Sequence, residues 1–261
     1  MGLKVNHVKQ ALREGKTCFG TMLRMVRAPE VISLCAAAGW DFVVLDTEHY
    51  GCNPENVSAL ALAARYEKIT FLMRVPDKLY HQMANALDLG AEGLVLPRVD
   101  RPEQVQTIIR SSKFYPVGQR GMSVSIFGTL HREYDVTEYM EWFNSSSLVA
   151  IQIESREGVE NANQLVSIPG VDAVLIGPAD LSQNLGISGQ FSHPDMEDAY
   201  QKVIDACNRH GVAPGIHFSE MDLVEKWVAR GMRFITFQYD TKLLLDASKK
   251  TVEGLRQVLD K

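Results

Sequence analysis

The sequence predicts one (β/α)8 barrel domain spanning residues 1–261. Short apolar runs alternate with segments of helix length along the chain, and about eight such strand–helix units fit within it. Continuously apolar runs bounded by turn residues are typical of parallel strands buried on both faces. Regular alternation predicts a parallel sheet, and eight units in roughly 250 residues favour a closed barrel over an open doubly wound sheet.

The strands are predicted where apolar, often β-branched runs end at a polar or turn residue. In chain order they are Cys18–Leu23, Asp41–Leu45, Thr70–Val75, Gly93–Val99, Leu148–Ile153, Val171–Ile176, Val212–Phe218 and Phe234–Phe237. Amphipathic segments predict helices at 28–38, 54–66, 80–89, 102–113, 137–143, 194–210, 221–230 and 242–259, between the fifth and sixth strands, and at the N terminus. Asn53 is a predicted N-cap, and Ser192 or His193 is predicted to cap the helix beginning at Pro194.

Composition argues against several classes of function. A net charge of −5 provides no basic field for nucleic acid or an anionic membrane, and no apolar run approaches the roughly 18 residues that span a bilayer. The cysteines (Cys18, Cys35, Cys52 and Cys207) show no C-x-x-C spacing and follow no secretion signal, so we expect reduced thiols in a cytoplasmic protein. No dinucleotide-binding glycine pattern follows the first strand and no Walker A pattern is present, which argues against nucleotide binding.

Polar residues follow several predicted strands at their carboxyl ends, where barrel enzymes place their active sites. They are Asp46, Glu48 and His49 after strand two, Arg74 after strand three, Arg98 after strand four, Gln152 and Glu154 on strand five, Gly177–Asp180 after strand six, and His217 on strand seven. Together they offer acids for a hard cation, an imidazole for proton transfer and cations for an anionic substrate.

Glu154 and Asp180 are the predicted metal ligands. They occupy equivalent positions after two adjacent strands, and two neighbouring carboxylates repel each other unless a cation lies between them. Carboxylates with water suit Mg²⁺ or Mn²⁺. The alternative for Asp180 is a capping role at the start of the following helix.

His49 is the predicted catalytic acid or base, with Asp46 and Glu48 beside it and Asp88 as the expected orienting partner. Arg74 is expected to point into the barrel mouth, where it would suit a carboxylate or a developing oxyanion. The alternatives are a solvated histidine and a surface salt bridge. Cys52 also lies near His49, but no acyl-transfer signature accompanies it.

The predicted strands contain no lysine. A Schiff-base aldolase needs a lysine on one of its barrel strands, so the sequence favours a metal-stabilised enolate over imine chemistry.

Six motifs together resemble the class II pyruvate-dependent aldolases, which include 4-hydroxy-2-oxoheptanedioate aldolase and 2-dehydro-3-deoxyglucarate aldolase. The motifs are DFVVLDTEH (41–49), FLMRVP (71–76), LDLGAEGLVLPRV (87–99), YPVGQRG (115–121), IQIES (151–155) and GPADLSQNLG (177–186). The resemblance extends from about Cys18 to the C terminus. It implies a barrel of the phosphoenolpyruvate-binding type, whose last helix is exchanged between subunits of a dimer that assembles further, as in a hexamer.

The resemblance also implies roles for individual residues. Glu154 and Asp180 would bind a divalent metal, Mg²⁺ or Mn²⁺ with Co²⁺ as a further candidate. Arg74 and Gln152 would bind pyruvate, whose carboxylate would meet the backbone amides of the Gly177–Pro178–Ala179–Asp180 turn. His49, hydrogen-bonded to Asp88, would be the catalytic histidine.

The segment at residues 122–147 departs from the resemblance, because it lacks the small-residue, arginine-containing loop expected after Gly121. This segment is expected to follow a strand's carboxyl end and to reach over the acceptor side. The predicted reaction is reversible cleavage of a 4-hydroxy-2-oxo acid to pyruvate and an aldehyde. The alternatives are a Claisen-type enzyme or lyase, similar to a siderophore-pathway citrate synthase, and a non-catalytic barrel that binds an oxo acid.

Overall fold

Eight parallel strands close into a barrel in which each strand pairs with the next in sequence and the last pairs with the first. The computed structural model describes residues 3–123, 129–130 and 132–259. The predicted (β/α)8 barrel is confirmed. None of the described helices is long and apolar enough to cross a membrane.

The strands are β1 (Cys18–Leu23), β2 (Phe42–Asp46), β3 (Thr70–Arg74), β4 (Gly93–Leu96), β5 (Leu148–Ile153), β6 (Ala173–Ile176), β7 (Gly215–Phe218) and β8 (Phe234–Tyr239). The helices are α1 (His7–Arg13), α2 (Glu30–Ala37), α3 (Pro54–Glu67), α4 (Tyr80–Asp88), α5 (Pro102–Ser112), α6 (Val136–Ser146), α7 (Arg156–Glu160), α8 (Ala162–Val166), α9 (Pro178–Asn184), α10 (Pro194–His210), α11 (Met221–Ala229) and α12 (Asp240–Arg256). The caps are as predicted, since Asn53 accepts a hydrogen bond from the Asn56 amide and His193 accepts one from the Asp195 amide.

Most strand residues are buried on both faces of the sheet, which explains the continuously apolar sequences; Phe19 of β1, 41% exposed, is an exception. One face packs against the surrounding helices, and the other fills the barrel interior, where Phe42 and Phe234 stack with ring centroids 4.7 Å apart. Successive side chains of a strand alternate between these faces. In β2, Phe42 and Val44 therefore point inward, and Asp46 continues the inward series at the carboxyl end.

Several boundaries differ from those predicted, for local reasons. The fourth strand ends at Leu96 because Pro97 has no N–H for the ladder, and Arg98 then adopts a left-handed conformation with φ of 54°. The predicted turn at 177–180 is the start of a helix, for which Gly177 is the N-cap and Pro178 the first residue. The segment between β5 and β6 forms two short helices, α7 and α8, rather than one.

The amino end of the barrel is closed by α1, whose Val8 and Leu12 extend the interior core. Two buried lysines lie beside it. Lys9 contacts Asp172 at 2.9 Å, and Lys113 donates hydrogen bonds to the backbone oxygen of Ser147 at 2.6 Å and to that of Asn144 at 3.1 Å. Ser147 and Asp172 immediately precede β5 and β6, so this ionic cluster lies at the end of the barrel opposite the mouth.

The expectation for residues 122–147 is wrong for the parts that the structure describes. The segment follows the C-terminal end of α5, not a strand. Phe114 and Asn144 exchange hydrogen bonds of 2.8 and 3.0 Å, and Trp142 donates to the Lys4 oxygen at 3.0 Å. These contacts hold α6 at the amino end of the barrel. Residues 124–128 and 131 lie outside the described residues.

Candidate active site

The barrel alternation places polar side chains from several strands in one layer at the carboxyl end. Asp46, Arg74, Gln152 and Glu154 are each at most 6% exposed. Each continues the inward-facing series of its strand, as His217 does on β7. The predicted convergence of strand-end residues is therefore present for these five positions.

Arg74 is held between two carboxylates. Its Nε and Nη2 donate to Asp46 Oδ1 and Oδ2 at 3.0 and 2.6 Å, and its Nη1 lies 3.2 Å from Glu48 Oε2. Burial alone would raise the pKa of Asp46, but the hydrogen bonds and charge of Arg74, with the amides of His49 and Glu48, keep it below its ordinary value. Arg74 is thus a buried cation of fixed orientation rather than a surface salt bridge, with Asp46 ionised beneath it.

His49 lies at the rim, where its side chain is 55% exposed. Its Nε2 is 3.7 Å from Glu48 Oε2, and its amide lies 3.4 Å from Asp46 Oδ1. Glu48 is itself paired with Arg98 at 2.7 Å. The acids that orient the His49 loop are therefore its sequence neighbours on β2 and the following turn.

Within one copy of the chain, the structure does not bring Asp88 to His49. Asp88 ends α4, and helices of a β/α barrel run back towards the amino ends of the strands. The Glu92 amide, four residues later, donates to the Phe71 oxygen near the start of β3. At that end of the barrel Asp88 Oδ1 accepts a hydrogen bond of 2.6 Å from Arg120 Nη2, whereas His49 lies at the mouth.

Glu154 forms the acidic side of the site. Its Oε1 accepts a hydrogen bond of 2.8 Å from the Arg98 amide, which the left-handed backbone at Arg98 presents. Its Oε2 accepts one from Gln152 Nε2. Burial raises the pKa of Glu154 to about 7, and the charges of Asp180 and Glu48 act in the same direction. A divalent cation would relieve this repulsion.

Gly177 makes room for this arrangement. A Cβ at this position would lie 2.6 Å from Glu154 Oε2 and 3.0 Å from Gln152 Nε2. The next residues begin α9, and the amides of Ala179 and Asp180 lie in its first turn, where a helix supplies no carbonyl partner. Carboxylate oxygens that can bind a hard cation therefore lie on one side of the site, and backbone N–H groups that can bind an anion lie on the other.

This donor set fits a hard divalent ion with few protein ligands. Within residues 3–123, 129–130 and 132–259, no three His, Cys, Asp or Glu side chains are grouped closely enough to hold a metal by themselves. Mg²⁺ commonly binds one or two carboxylates and keeps several waters. Glu154 and Asp180 both line a cavity of about 470 Å³, which has the room for such water ligands.

A second cavity, of about 330 Å³, lies on the other side of His49 and Asp180, which line both cavities. Arg74, Gln152, the Gly177–Asp180 segment and His217 also line it. Burial and the charges of Arg24 and Arg74 lower the pKa of His217 to about 3, so its imidazole is neutral, with Nδ1 2.9 Å from Thr236 Oγ1.

Arg24 and Tyr239 are among the residues of this second cavity that sequence reasoning missed. The signal for Arg24 was present, because Cys18 and Met22 face the barrel interior and Arg24 continues the same alternation. The Cys52 alternative loses support, since burial raises the pKa of that thiol and disfavours the thiolate. No described strand contains a lysine, and none lines either cavity.

The chain is similar to known proteins over most of its length. A family model described as HpcH/HpaI aldolase/citrate lyase matches residues 23–247. A hydroxypyruvate/pyruvate aldolase of Deinococcus radiodurans is 33% identical, over 94% of this chain and 87% of the relative. A 4-hydroxy-2-oxo-heptane-1,7-dioate aldolase of Klebsiella pneumoniae is 32% identical, over 92% and 89%.

Two solved structures are similar over nearly their whole length. An HpcH/HpaI aldolase from Desulfitobacterium hafniense has a TM-score of 0.90 and 31% identity, covering 95% of this chain and 96% of that one. Citrate synthase SbnG has a TM-score of 0.87 and 29% identity, covering 97% and 98%. The predicted aldolase resemblance is confirmed, and the chain belongs to the HpcH/HpaI aldolase/citrate lyase family.

Proposed function

We propose that this protein reversibly cleaves a 4-hydroxy-2-oxo acid to pyruvate and an aldehyde. The observation that carries the proposal is the meeting of two chemically distinct groups at two adjoining cavities, which share His49 and Asp180. Glu154 and Asp180 form the acidic side, and His49 with the buried Arg74 forms the side that transfers protons and stabilises charge. Relatives named for aldol reactions of 2-oxo acids support the same chemistry.

The proposed metal site consists of Glu154 and Asp180, with Mg²⁺ or Mn²⁺ as the first candidates and Co²⁺ as a further one. When bound, such a cation would orient the 2-oxo acid and offset the negative charge that develops on its carbonyl oxygen. Gln152 and the Arg98 amide hold the Glu154 carboxylate, so its orientation is set before any ligand arrives.

The residues of the chain then divide the remaining tasks. The amides of Ala179 and Asp180 receive the carboxylate of the oxo acid, and Gly177 and Pro178 shape the turn that exposes them. Gln152 lies beside them as a further polar contact. Arg74 directs positive charge at the carbonyl oxygen, and its two carboxylate partners hold the guanidinium in place without reorganisation.

His49 moves the proton of the reaction. In the cleavage direction its neutral imidazole takes the proton of the 4-hydroxyl, directly or through water, as the bond between C3 and C4 breaks. The electron pair of that bond remains on the pyruvate fragment as the enolate, and C3 is then protonated. Glu48, 3.7 Å from Nε2, stabilises the imidazolium that forms.

A Claisen-type condensation on the same barrel is the second candidate. It is favoured by the similarity to citrate synthase SbnG over nearly the whole chain. Both reactions form an enolate, but the enolate of pyruvate adds to an aldehyde in the first, whereas the enolate of an acyl-CoA adds to an oxo acid in the second. Activity with acyl-CoA plus oxaloacetate, in the absence of an aldehyde, would identify the Claisen reaction.

We also propose that α12 packs against a second copy of this chain, in a dimer that assembles further. The exposed leucines Leu244 and Leu255 are each 65% accessible, and Leu259, just beyond the helix, is 85% accessible. Leu244, Val252 and Leu255 fall on one stripe of the helix, at spacings of 8 and 11 residues from Leu244, and Leu259 follows 15 residues from Leu244. An apolar stripe of this length on a terminal helix is stabilised by burial against another subunit.

The decisive experiment is deuterium exchange at C3 of pyruvate, followed by a retro-aldol screen that measures pyruvate release. We expect metal-loaded protein to exchange the C3 protons without any aldehyde, and EDTA-treated protein to do so only after Mg²⁺ or Mn²⁺ is restored. His49→Ala should keep metal affinity but lose at least about a hundredfold in cleavage rate. Exchange that persists in metal-free protein would contradict the metal site, and full cleavage by His49→Ala would contradict the role of His49.

A further inference from the structure

A second arginine, Arg24, lies at the barrel mouth and has no task in the mechanism above. It follows β1 and lines the 330 Å³ cavity together with Arg74, His217 and Tyr239. The catalytic cluster of Asp46, Glu48 and Arg74 is complete without it. The hydrogen bonds of the two arginines show why their roles differ.

Arg74 has its donors satisfied by carboxylates, whereas the Arg24 guanidinium is poorly paired. Arg24 Nε is buried without a hydrogen-bond partner in the part of the chain that the structure describes. It lies 3.7 Å from Asp46 Oδ2, too far for a hydrogen bond. Arg24 Nη2 contacts the sulfur of Met22 at 4.0 Å. A buried guanidinium donor with no acceptor is costly unless a ligand supplies one.

Aromatic rings keep this guanidinium in the cavity. Its Cζ lies 4.1 Å from the centroid of the Tyr239 ring and 5.6 Å from that of Tyr50. Stacking on a ring stabilises the cation and leaves the donors in the guanidinium plane available. The side chain remains 20% exposed, so a ligand in the cavity can reach it.

The backbone of Arg24 is equally fixed. The buried Asp240 carboxylate, at the start of α12, accepts hydrogen bonds from the amides of Arg24, Met25 and Val26 at 3.0, 3.0 and 2.8 Å. This three-donor contact holds the loop after β1 against the last helix. Arg24 is therefore preorganised rather than a mobile surface side chain.

The barrel order places Arg24 across the mouth from the proposed metal ligand Glu154. β1 and β5 are four strands apart in a closed barrel of eight, so residues that follow them stand on opposite sides. Arg74, Gln152 and the Gly177–Asp180 segment, which would hold the oxo acid, line the same 330 Å³ cavity as Arg24. With the oxo-acid end on the side of Glu154 and Asp180, the end of the substrate that reaches Arg24 is the end derived from the aldehyde.

We propose that Arg24 is a specificity-determining residue that binds an anionic group, carboxylate or phosphate, at the aldehyde-derived end of the substrate. The acceptor is then an aldehyde with a second, anionic end, and the cleaved hydroxy-oxo acid carries anions at both ends. This inference rests on the proposed aldol reaction. The alternative is that Arg24 has only a structural role, in which its charge offsets that of Asp46.

The test compares aldehydes matched in length but not in charge in the condensation with pyruvate. Succinic semialdehyde is paired with butanal, and glyceraldehyde 3-phosphate with glyceraldehyde, so the two pairs separate carboxylate from phosphate. We expect the wild-type protein to prefer one anionic aldehyde over its neutral partner by about ten- to a hundredfold in kcat/KM, as for one charge-assisted hydrogen bond. The preference should lie mainly in KM.

Arg24→Met should bring that ratio close to one by raising KM for the anionic aldehyde, with a much smaller change for the neutral aldehyde. Arg24→Lys, which keeps the charge but not the planar fork, should retain part of the preference. Arg27→Met is the matched control, since Arg27 lies in the same loop and bonds to the Gly51 oxygen but lines neither cavity of the site. It should leave the ratio unchanged.

Two outcomes would overturn the inference. One is a wild-type protein without preference for either anionic aldehyde. The other is an unchanged ratio in Arg24→Met, whether or not the activity with both aldehydes falls. The first needs no variant to fold. Deuterium exchange into pyruvate by the wild-type protein tests the proposed aldol function separately from the role of Arg24. If this exchange fails, the proposed function itself is rejected. Exchange without an anion preference rejects only the role of Arg24.

Discussion

Asp46 and Arg74 stand opposite each other in the register of β2 and β3 and share two hydrogen bonds, of 3.0 and 2.6 Å. The pair is almost fully buried, at 0% and 7% side-chain exposure. Asp46 also accepts the amides of Glu48 and His49 at 3.1 and 3.4 Å. One carboxylate thus fixes both the cation and the turn that carries the proposed catalytic histidine.

Asp46→Asn should therefore reduce activity far more than Asp88→Asn. The amide places an N–H against the Arg74 guanidinium and removes a buried counter-charge, so we expect a loss of about a hundredfold or more in kcat/KM. Asp88→Asn weakens a contact with Arg120 at the amino end and should change kcat/KM by less than about threefold. Steady-state kinetics on both variants, with circular dichroism to confirm folding, make the comparison. A larger loss from Asp88→Asn would restore the original prediction.

The position of Asp88 shows what a sequence pattern lacks. The alternation of apolar runs located β1, β5 and α10 at the residues observed, because burial on both faces or on one stripe leaves a local signature. Which end of the barrel a helix residue reaches depends on the direction of the helix. Asp88 lies 14 residues beyond Arg74 and is the last residue of α4. It therefore lies at the amino end of the barrel, away from the strand-end residues at the mouth.

The ion pairs and hydrogen bonds within the site also could not be predicted from the sequence. Asp46 and Glu48 were among the predicted strand-end acids, but the choice of Asp46 for Arg74 follows from the register of β2 against β3. The Arg98 amide reaches Glu154 only because Pro97 ends β4 and Arg98 takes a left-handed conformation. Arg24 could have been found, since its position follows from counting alternate residues along β1.

Gly177→Ala should weaken metal binding. The added methyl group would lie 2.6 Å from Glu154 Oε2, so the carboxylate and its Gln152 partner must shift. We expect Mn²⁺ affinity, measured by titration calorimetry or electron paramagnetic resonance, to fall by about ten- to a hundredfold, the range typical of disturbed partners around a metal ligand. Gly51→Ala is the control, because a Cβ there meets no atom within 4 Å. Equal Mn²⁺ affinity in Gly177→Ala and wild-type protein would remove Glu154 as a ligand.

Lys113 should make stability depend on pH. Burial and the charge of Lys9 lower the pKa of this lysine from 10.5 to about 7. Between those values the unfolded chain holds a proton that the folded protein lacks, so stability rises with pH, by up to about 1.4 kcal/mol per pH unit from this group. Below pH 7 both states are protonated and this contribution is flat.

Urea unfolding of wild-type protein and Lys113→Met at pH 7, 8 and 9 measures the effect. The wild-type free energy of unfolding should rise more steeply over this range than that of the variant, whatever their absolute difference. Lys250→Met, at an exposed lysine, should keep the wild-type slope. If the free energy of unfolding rises equally with pH in the wild type and in Lys113→Met, Lys113 has the same proton affinity in the folded and unfolded states.

The exposed stripe on α12 should decide the oligomeric state. Leu244 and Leu255 are each 65% accessible, and burying both against a second subunit would contribute roughly 2–4 kcal/mol. Replacing both with Lys introduces two charges that such an interface would have to desolvate. We therefore expect light scattering after size exclusion to show a smaller species for the double variant than for the wild type. The same change at Leu34, 69% accessible on α2, is the control and should leave the mass unchanged. A double variant with the wild-type mass would place the subunit contacts elsewhere on the barrel.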